Sequence, residues 1–531
     1  MRSISRWPIP PHLENIGEIY PGSFTVQDIP FNPDEATFIA FAKKCTATVF
    51  PLVFKASNDG IFAWAAFHQL EKENDYAFLL ESAETGINGR YSYMGFSPRR
   101  LITVLNGVFS VSDGDGNTLK KSECKDPIAA LENFIKPLQT PPFAFKKLPP
   151  FWGGLVGYLG YDCAHYFENI GDMKTDLLQV PDMLWMQTDI VLIFDHHRHD
   201  LYLLKNCHVE DAIGDWGNFY RLARTVFDEM LTKMAVPSPC LKLPDKEPDM
   251  PEIAPQQNMS REDYYEKVEA CKRHIRAGDV FQVVPSLRFS FSQPAPSLAL
   301  YRCLRRINPS PYMFYFKCGN FVVAGSSPEL MASCMGEEVK VRPIAGTRPR
   351  GSDANEDKRL EDELRGDEKE LAEHLMLVDL GRNDIGRVAK PGSVRVPKEK
   401  FCSIERYSHV MHMVSHVEGE KEEELSSFDV TRATFPAGTL SGAPKVRAMQ
   451  IINDLEPCKR NLYGGFAGFF NYNGDMATCI VIRTLVIKDG VCHVQAGAGI
   501  VANSQPQKEY EEAVNKAAAV LKAAQLAAAG L

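Results

Sequence analysis

Two pairs of glutamates have a spacing that suits a divalent-cation site. Glu370 and Glu373 form one Glu-x-x-Glu pair, and Glu509 and Glu512 form the other, each in a stretch rich in helix-forming residues. Residues three apart share one face of a helix, so each pair holds two like charges about 5–6 Å apart at Cβ. A hard cation such as Mg²⁺ would offset that repulsion. Because acidic helix faces are common, a solvated charged surface is the alternative interpretation.

The composition limits the class of protein. The chain has 531 residues, 44% of them hydrophobic and 24% charged, which is typical of a globular protein with two domains or one large layered assembly. A net charge of −9 argues against nucleic acid or an anionic membrane as the partner. The thirteen cysteines include no CxxC pair, and we find neither an apolar leader nor a membrane-length apolar run. These features predict a cytoplasmic protein.

A proline-rich segment divides the sequence into two halves. We predict a β-rich N-terminal regulatory region over 1–240, a linker over 241–258 and a catalytic domain over 259–520. Alternating apolar runs that flank NG or DHHRHD predict antiparallel hairpins, and the stretch from Ser260 to Gly278 predicts an amphipathic helix. The predicted fold class is α+β with mainly antiparallel sheets.

The glutamate pairs lie in two predicted helices. The acidic helix with the first pair is predicted to end at Gly381. The last helix is predicted to begin with a capping box formed by Ser504 and Gln507. Helical spacing then places the second pair and Lys516 on one face.

A series of motifs in the second half resembles the chorismate-utilising enzymes. In chain order these motifs are GDVFQVVPS (278–286), SSPE (326–329), PIAGTRPRG (343–351), KELAEHLMLVDLGRNDIGRV (369–388), FPAGTLSGAPK (435–445), YGGFAGF (463–469), TCIVIRT (478–484) and QAGAGIVANS (495–504). The resemblance covers roughly residues 259–520. It implies the chorismate-binding enzyme fold, a large two-layered antiparallel β-sheet sandwich with helices packed outside.

The resemblance also implies roles for individual residues. The magnesium ligands would be Glu370, Glu373, Glu509 and Glu512. The substrate-binding residues would be Tyr463, Arg483, Gly497, Ala498, Gly499 and Lys516. The catalytic residues would be Glu329 as general acid, His412 in the elimination of pyruvate, Thr439 with Gly442 in shaping the pocket, and Gln282 in place of a lysine base. Since chorismate is a dianion, the implied cations would supply what the acidic surface lacks.

Two positions distinguish reactions within that family. Members that add water carry a lysine base where this chain has Gln282; a glutamine cannot deprotonate water, so ammonia is the expected nucleophile. Aminodeoxychorismate synthases carry a lysine nucleophile where this chain has Ala345, which favours amination at carbon 2. Elimination of pyruvate would then give anthranilate, in the first step of tryptophan biosynthesis. An aminodeoxychorismate synthase and a catalytically silent tryptophan-binding regulator are the alternatives.

The resemblance extends to partners and to an inhibitor. No cysteine lies in a nucleophile-elbow turn, so ammonia is expected from a separate glutamine amidotransferase subunit in a hetero-oligomer. The segments LLESAE (79–84), GRYSYMGFSP (89–98) and NPSPYMFYF (308–316) resemble the family's regulatory blocks. They imply a tryptophan site formed by Leu80, Glu81, Ser82, Pro311, Tyr312 and Met313. The alternative is an ordinary strand whose glutamate faces solvent.

Overall fold

The hairpin signals of the sequence correspond to strands of large antiparallel sheets. The computed structural model describes residues 29–45, 47–83, 89–138, 140, 148–212, 215–236, 250–407 and 410–530. The NG turn is formed by Asn106 and Gly107, whose φ angles are 49° and 74°, as a tight hairpin turn requires. Neighbouring strands pair in antiparallel fashion throughout the described residues, with helices packed around the sheets. The predicted fold class is confirmed.

The first large sheet has eleven strands in the described part of the chain. In spatial order they are β1 (Val49–Ser57), β10 (Asp200–His208), β9 (Ile190–Asp195), β3 (Tyr91–Phe96), β2 (Tyr76–Glu81), β14 (Tyr312–Cys318), β15 (Phe321–Ser327), β25 (Thr484–Lys488), β26 (Val491–Gly497), β13 (Ser286–Ser292) and β11 (Gln256–Gln257). Numbering follows the chain, so the order shows that strands distant in sequence become neighbours.

The second large sheet has ten strands among the described residues. In spatial order they are β21 (Val417–Glu420), β17 (Glu338–Val341), β16 (Leu330–Met335), β24 (Met476–Ile480), β23 (Phe466–Asn471), β7 (Gly154–Leu159), β8 (Met183–Gln187), β4 (Arg100–Leu105), β5 (Val108–Asp113) and β6 (Thr118–Glu123). Two small sheets complete the set. Their strands are β18 (Ile344–Pro349), β20 (Val410–Val414) and β19 (Ser403–Arg406) in one, and β12 (Gln282–Val283) and β22 (Gly442–Ala443) in the other.

The α-helices lie outside these sheets. They are α1 (Glu35–Lys44), α2 (Ala63–Leu70), α3 (Pro127–Ile135), α4 (Trp216–Met234), α5 (Arg261–Arg276), α6 (Ser297–Ile307), α7 (Ala354–Gly366), α8 (Glu368–Gly386), α9 (Ser427–Thr434), α10 (Gly438–Ser441), α11 (Lys445–Leu455) and α12 (Pro506–Ala528). Helix α12 packs on α5, α6 and β26, while α8 packs against β18 and β21. Both helices with a glutamate pair are therefore anchored to a sheet.

Aromatic side chains fill the space between the large sheets. Tyr93 on β3 lies 6.3 Å from Phe469 on β23, measured between ring centroids, and Tyr158 on β7 lies 6.4 Å from Phe321 on β15. Each pair joins one sheet to the other, within a single contiguous cluster of buried apolar residues. In the part of the chain that the structure covers, no helix combines the length and the apolarity needed to cross a membrane.

Each large sheet takes strands from both sides of the proline-rich segment. In the first sheet, β2 precedes that segment and pairs with β14, which follows it. In the second sheet, β7 and β23 pair in the same way. The division into 1–240, 241–258 and 259–520 stays a prediction, and its two large parts share hydrogen-bonded sheets.

One predicted helix boundary is confirmed, and another is wrong. Helix α5 begins after Ser260, which forms a capping box with Asp263, and it ends before Gly278, whose φ is +82°. The acidic stretch instead breaks at Asp367, and α8 runs past Gly381 to its end at Gly386. Gly381 allows close packing inside the helix, because a Cβ there would lie 2.9 Å from the Val341 side chain.

The predicted capping box of the last helix is also wrong. Helix α12 begins at Pro506, with Gln505 in the N-cap position and no side-chain cap. Proline suits the first helical position because its missing N–H would have no partner there. The Ser504 hydroxyl instead accepts a hydrogen bond from the backbone N–H of Val501, at 3.0 Å.

Candidate active site

Two of the predicted site residues lie where the chain crosses from one large sheet to the other. Glu329 lies between β15 and β16, and Arg483 lies between β24 and β25. Backbone hydrogen bonds join the two crossings: the N–H of Ile480 donates to the Glu329 carbonyl at 3.1 Å, and the N–H of Ser326 donates to the Arg483 carbonyl at 3.2 Å. The fold thus holds an acid and a cation side by side.

Glu329 is a buried carboxyl group that stays protonated at neutral pH. Glu329 is 8% exposed, and the Thr439 hydroxyl donates a hydrogen bond to Oε1 of Glu329 at 3.1 Å. Burial raises the pKa of Glu329 to about 8, although the Thr439 hydrogen bond and the Arg342 charge act against that rise. A carboxyl group with such a pKa can donate a proton at pH 7, as a general acid must.

Two cationic side chains, those of Arg483 and Lys516, lie in the same region as Glu329. The Arg483 guanidinium donates to the Asn308 side-chain oxygen at 3.2 Å and forms no ion pair within the described residues. Burial lowers its pKa, which the Glu329 carboxyl group partly counteracts. The Lys516 ammonium donates to the Gly497 carbonyl at 3.0 Å and pairs with Glu512 at 2.8 Å. An anionic substrate could therefore bind Arg483 without displacing an acidic side chain.

The glycine segment after β26 packs directly against Gln282. A Cβ on Gly499 would lie 2.5 Å from the Gln282 side-chain nitrogen and 3.7 Å from a carboxylate oxygen of Glu373. Gln282 itself is 2% exposed, and its amide nitrogen donates to Glu373 at 3.0 Å. Its amide oxygen is buried without a hydrogen-bond partner among the described residues. Ala498 is fully buried between Gly497 and Gly499.

Tyr463 lies beside the same segment. Its side chain is buried, and burial raises the pKa of its hydroxyl, which the Arg460 charge and a hydrogen bond from the Gly497 backbone counteract. A neutral phenol can both donate and accept a hydrogen bond. The structure therefore brings Tyr463 and the predicted glycine segment together.

Each predicted glutamate pair is electrostatically coupled. Burial raises the pKa of Glu370, and the Glu373 charge raises it further. Burial likewise raises the pKa of Glu509, with the Glu512 charge acting in the same direction and the Lys369 charge against it. The two carboxylates of each pair repel each other when both are ionised, so a nearby cation would stabilise the ionised form of each pair.

The four glutamates do not form a preassembled cluster of three or more metal ligands. No group of three or more His, Cys, Asp or Glu side chains in the described part of the chain has metal-site geometry. The donor chemistry nevertheless fits magnesium, which prefers oxygen ligands and retains several water molecules. Gly346 lies close to Glu370, since a Cβ added to Gly346 would be 3.4 Å from Oε2 of Glu370. The assignment of Glu370, Glu373, Glu509 and Glu512 to magnesium stays a prediction.

Hydrogen bonds hold His412 through Nδ1, and its Nε2 has no hydrogen-bond partner among the described residues. Its Nδ1 lies 3.2 Å from the Gly346 carbonyl and 3.0 Å from the Thr347 hydroxyl. A carbonyl only accepts, so Nδ1 carries the hydrogen and Nε2 carries the lone pair. Burial, together with the Arg483 charge, lowers the pKa of His412 to about 4. The imidazole is therefore neutral at pH 7 and can accept a proton at Nε2.

Comparison with known proteins identifies the family. Residues 114–522 match the family model described as chorismate binding enzyme. The chain belongs to the chorismate-binding enzyme family. It is 44% identical over 467 residues to anthranilate synthase component 1 of Thermus thermophilus, covering 88% of this chain and 96% of that protein. It is 46% identical over 457 residues to the Pseudomonas putida protein of that name, covering 85% and 90%. These relatives place it among the anthranilate synthase component 1 proteins.

Solved structures of the chorismate-binding enzyme family agree with this assignment. Anthranilate synthase component I from Streptococcus pneumoniae superposes with a TM-score of 0.70 at 34% identity, covering 82% of this chain and 93% of that one. The menaquinone-specific isochorismate synthase of Escherichia coli has a TM-score of 0.66 at 16% identity, covering 92% and 98%. The second likeness shows a shared fold alone.

Three supporting residues of this chorismate-binding enzyme were missed by sequence reasoning. Thr347 bonds to His412, Asn308 bonds to Arg483, and Arg342 lowers the pKa of both Glu329 and His412. Thr347 stands inside the motif PIAGTRPRG, and Asn308 begins NPSPYMFYF. A polar residue within a matching motif was the available signal, but nothing in the sequence shows its partner.

The two predicted inhibitor segments form neighbouring strands. On β2 and β14, Glu81 is opposite Met313 and Leu80 is opposite Phe314. Glu81 is 6% exposed, which contradicts the alternative of a solvent-facing glutamate. The Tyr301 hydroxyl donates to it at 2.9 Å, Arg305 lies 3.5 Å away, and burial raises its pKa. A tryptophan site formed by Leu80, Glu81, Ser82, Pro311, Tyr312 and Met313 stays a prediction.

Proposed function

We propose that the chain is the synthase component of anthranilate synthase and converts chorismate and ammonia to anthranilate and pyruvate. The observation that carries the proposal is the buried, protonated Glu329 beside Arg483. An acid for a leaving hydroxyl thus adjoins a cation for a carboxylate. Gln282 and Ala345 occupy the positions where the water-adding and the aminodeoxychorismate-forming members carry lysines.

The cations would orient the substrate. Arg483 binds one carboxylate of chorismate through its planar guanidinium, and Tyr463 and the segment from Gly497 to Gly499 contact the other side. Lys516 contacts that segment, because its ammonium group donates a hydrogen bond to the Gly497 carbonyl. These contacts replace the solvation that a dianion loses when it enters a buried site.

The first chemical step would be amination. Ammonia attacks carbon 2, the ring double bonds shift, and the hydroxyl on carbon 4 leaves as water with the proton from Glu329. The Thr439 hydroxyl, which bonds to Oε1 of Glu329, holds the carboxyl group in place. Gln282 cannot activate a water molecule, so the competing hydration is disfavoured.

The second step would be elimination. Nε2 of His412 accepts the proton from carbon 2, and that electron pair forms the double bond to carbon 3. The bond from carbon 3 to the side-chain oxygen breaks, and enolpyruvate leaves and is protonated to pyruvate. The neutral state of His412, with Nδ1 bonded to the Gly346 carbonyl, suits this role.

The oxygen-donor chemistry of the two glutamate pairs suits magnesium, with water molecules completing its coordination. Glu370 and Glu373 from α8, with Glu509 and Glu512 from α12, would hold the ion directly or through water. When bound, Mg²⁺ supplies positive charge that binds the ring carboxylate and withdraws electrons from the ring. The raised pKa values of Glu370 and Glu509 support the need for a compensating cation.

Partners and location follow from the same proposal. A glutamine amidotransferase would supply ammonia as a second subunit, and tryptophan would bind at the paired β2 and β14 segments. The cysteines of the described residues are thiols rather than disulfides, which supports a reducing cytoplasmic location.

Product identity tests the proposed function. Purified protein is incubated with chorismate, ammonium and magnesium, while anthranilate fluorescence and pyruvate release are followed; a chelator provides the control. We expect both products in equal amounts. A non-fluorescent amino product without pyruvate would indicate aminodeoxychorismate synthesis, and tryptophan-dependent stabilisation without turnover would indicate a silent regulator.

A further inference from the structure

A partly buried ion-pair network lies next to His412. Arg342, which is 5% exposed, forms an ion pair with Glu405 and donates a hydrogen bond to the Tyr407 hydroxyl at 2.8 Å. The Tyr407 hydroxyl in turn donates to Oε2 of Glu405 at 2.9 Å. Each member thus bonds to both others. We name these three residues the Arg342 triad.

Two members of the triad, Glu405 and Tyr407, adjoin His412, which lies on the small three-stranded sheet. Glu405 on β19 is directly opposite His412 on β20, and Thr347 on β18 is opposite it on the other side. Facing residues in antiparallel strands point to the same side of a sheet, so Glu405 and Thr347 flank the imidazole. The Tyr407 ring packs on the imidazole at 5.5 Å between centroids, with an interplanar angle of 62°.

The electrostatics of the triad tie it to both proposed proton-transfer groups. Burial raises the pKa of Glu405, but the nearby His416, the Arg342 charge and the hydrogen bond from Tyr407 lower it to about 2. Glu405 therefore remains an anion and compensates the buried Arg342 charge. Arg342 lowers, and Glu405 raises, the pKa of His412, while Arg342 also lowers the pKa of Glu329.

We propose that the Arg342 triad is a positioning device that holds the His412 imidazole for the second chemical step, the elimination of pyruvate. The proposal rests on the proposed function of His412 as the proton acceptor. The Gly346 carbonyl fixes which nitrogen is free, and Tyr407 and Glu405 fix where the ring lies. The triad transfers no proton itself, so loss of the Tyr407 or Glu405 contacts slows the step that His412 serves. Arg342, whose charge acts on Glu329, is retained in such variants, so amination stays largely intact.

Single-turnover kinetics of Tyr407→Phe and Glu405→Gln test this role. Tyr407→Phe keeps the ring and removes both hydroxyl bonds, and Glu405→Gln keeps the shape and removes the charge. Enzyme in excess of chorismate is mixed with ammonium and magnesium and quenched at intervals. We expect the aminated, non-aromatic intermediate to accumulate transiently, because elimination slows about tenfold to hundredfold, part of the roughly 10²–10⁴ that acid–base groups contribute. The rate constant for chorismate consumption, which reports amination, should stay within about threefold of wild type.

Two matched variants control for lost stability. Glu418→Gln removes a buried carboxylate that pairs with Arg395 and Lys400, and Tyr220→Phe removes a hydroxyl that donates to the Pro33 carbonyl. Both should form anthranilate without an intermediate. The proposal is overturned if the triad variants retain the wild-type elimination rate, or if amination and elimination slow equally. Should Glu405→Gln fail to fold, Tyr407→Phe decides. Failure of the proposed function would differ, since wild-type protein would then yield no anthranilate.

Discussion

Replacement of Glu329 by glutamine should inactivate the enzyme and stabilise it at alkaline pH. The carboxyl group has a pKa of about 8 in the folded protein, because it is buried, against 4.5 for an ordinary glutamate. The native state therefore binds more protons than the unfolded state between these pH values, so wild-type stability falls as the pH rises from about 4.5 to 8. Glutamine carries no titrating proton and removes that loss.

The magnitude follows from the pKa difference. Each pH unit of difference contributes about 1.4 kcal/mol, so burial of the ionised carboxylate costs up to about 5 kcal/mol once the pH exceeds 8. Glutamine can still accept the hydrogen bond from the Thr439 hydroxyl. The free energy of unfolding of Glu329→Gln should therefore match wild type near pH 5 and exceed it by a few kcal/mol at pH 9. Loss of the acid should lower kcat by roughly 10²- to 10⁴-fold.

Melting temperatures at pH 5, 7 and 9, with anthranilate assays at pH 7, measure both effects. Glu418→Gln is the control, for which the expected change in stability has the opposite sign. Burial raises the pKa of Glu418, but hydrogen bonds and charges from Lys400 and Arg395 lower it overall. Replacement of Glu418 should therefore destabilise the protein at neutral pH and above. Wild-type activity should also decline above pH 8, because Glu329 is only about one-tenth protonated at pH 9. An equal melting-temperature change for Glu329→Gln at every pH would refute this reasoning.

Further predictions concern the cation, the substrate and the inhibitor. Glu509→Gln should raise the magnesium concentration for half-maximal activity by at least about tenfold and should reduce the rise in melting temperature that magnesium produces in wild type; an unchanged magnesium response would contradict the assignment. Arg483→Lys should raise the KM for chorismate about tenfold or more, because lysine lacks the planar fork, and a normal KM would remove Arg483 from the substrate site. Glu81→Gln should abolish inhibition by tryptophan while retaining anthranilate formation, and retained inhibition measured over a tryptophan titration would exclude Glu81 as a ligand.

Local signals in the sequence predicted part of the local structure. The NG turn and the helix from Ser260 to Gly278 appear as expected, because a positive-φ turn and a capping box are decided by a few adjacent residues. The end of the acidic helix was misplaced because Gly381 is ordinarily a helix terminator. Here tertiary packing against Val341 overrides that tendency, and no local pattern reports such packing.

Motifs in the sequence supplied the candidate site residues, whereas their contacts came from the structure. Motifs supplied Gln282 and Glu373, but their hydrogen bond joins residues 91 positions apart. The ion pair between Arg342 and Glu405 likewise joins distant parts of the chain. Arg342 follows β17 of a large sheet, and Glu405 lies on β19 of the small three-stranded sheet. Long-range strand order sets these contacts, and the amino-acid pattern of a strand does not name its neighbour. For that reason the Arg342 triad emerges only from the structure.

The mixed strand order of the large sheets has a consequence for how the protein is made. During synthesis, β2 cannot acquire its β14 partner until residue 318 has been added, and β7 must wait for β23 until residue 471. An incomplete chain therefore exposes open sheet edges for most of its translation. If the chain is divided within 241–258, we expect each fragment expressed by itself to aggregate. Co-expression of the two fragments should restore solubility.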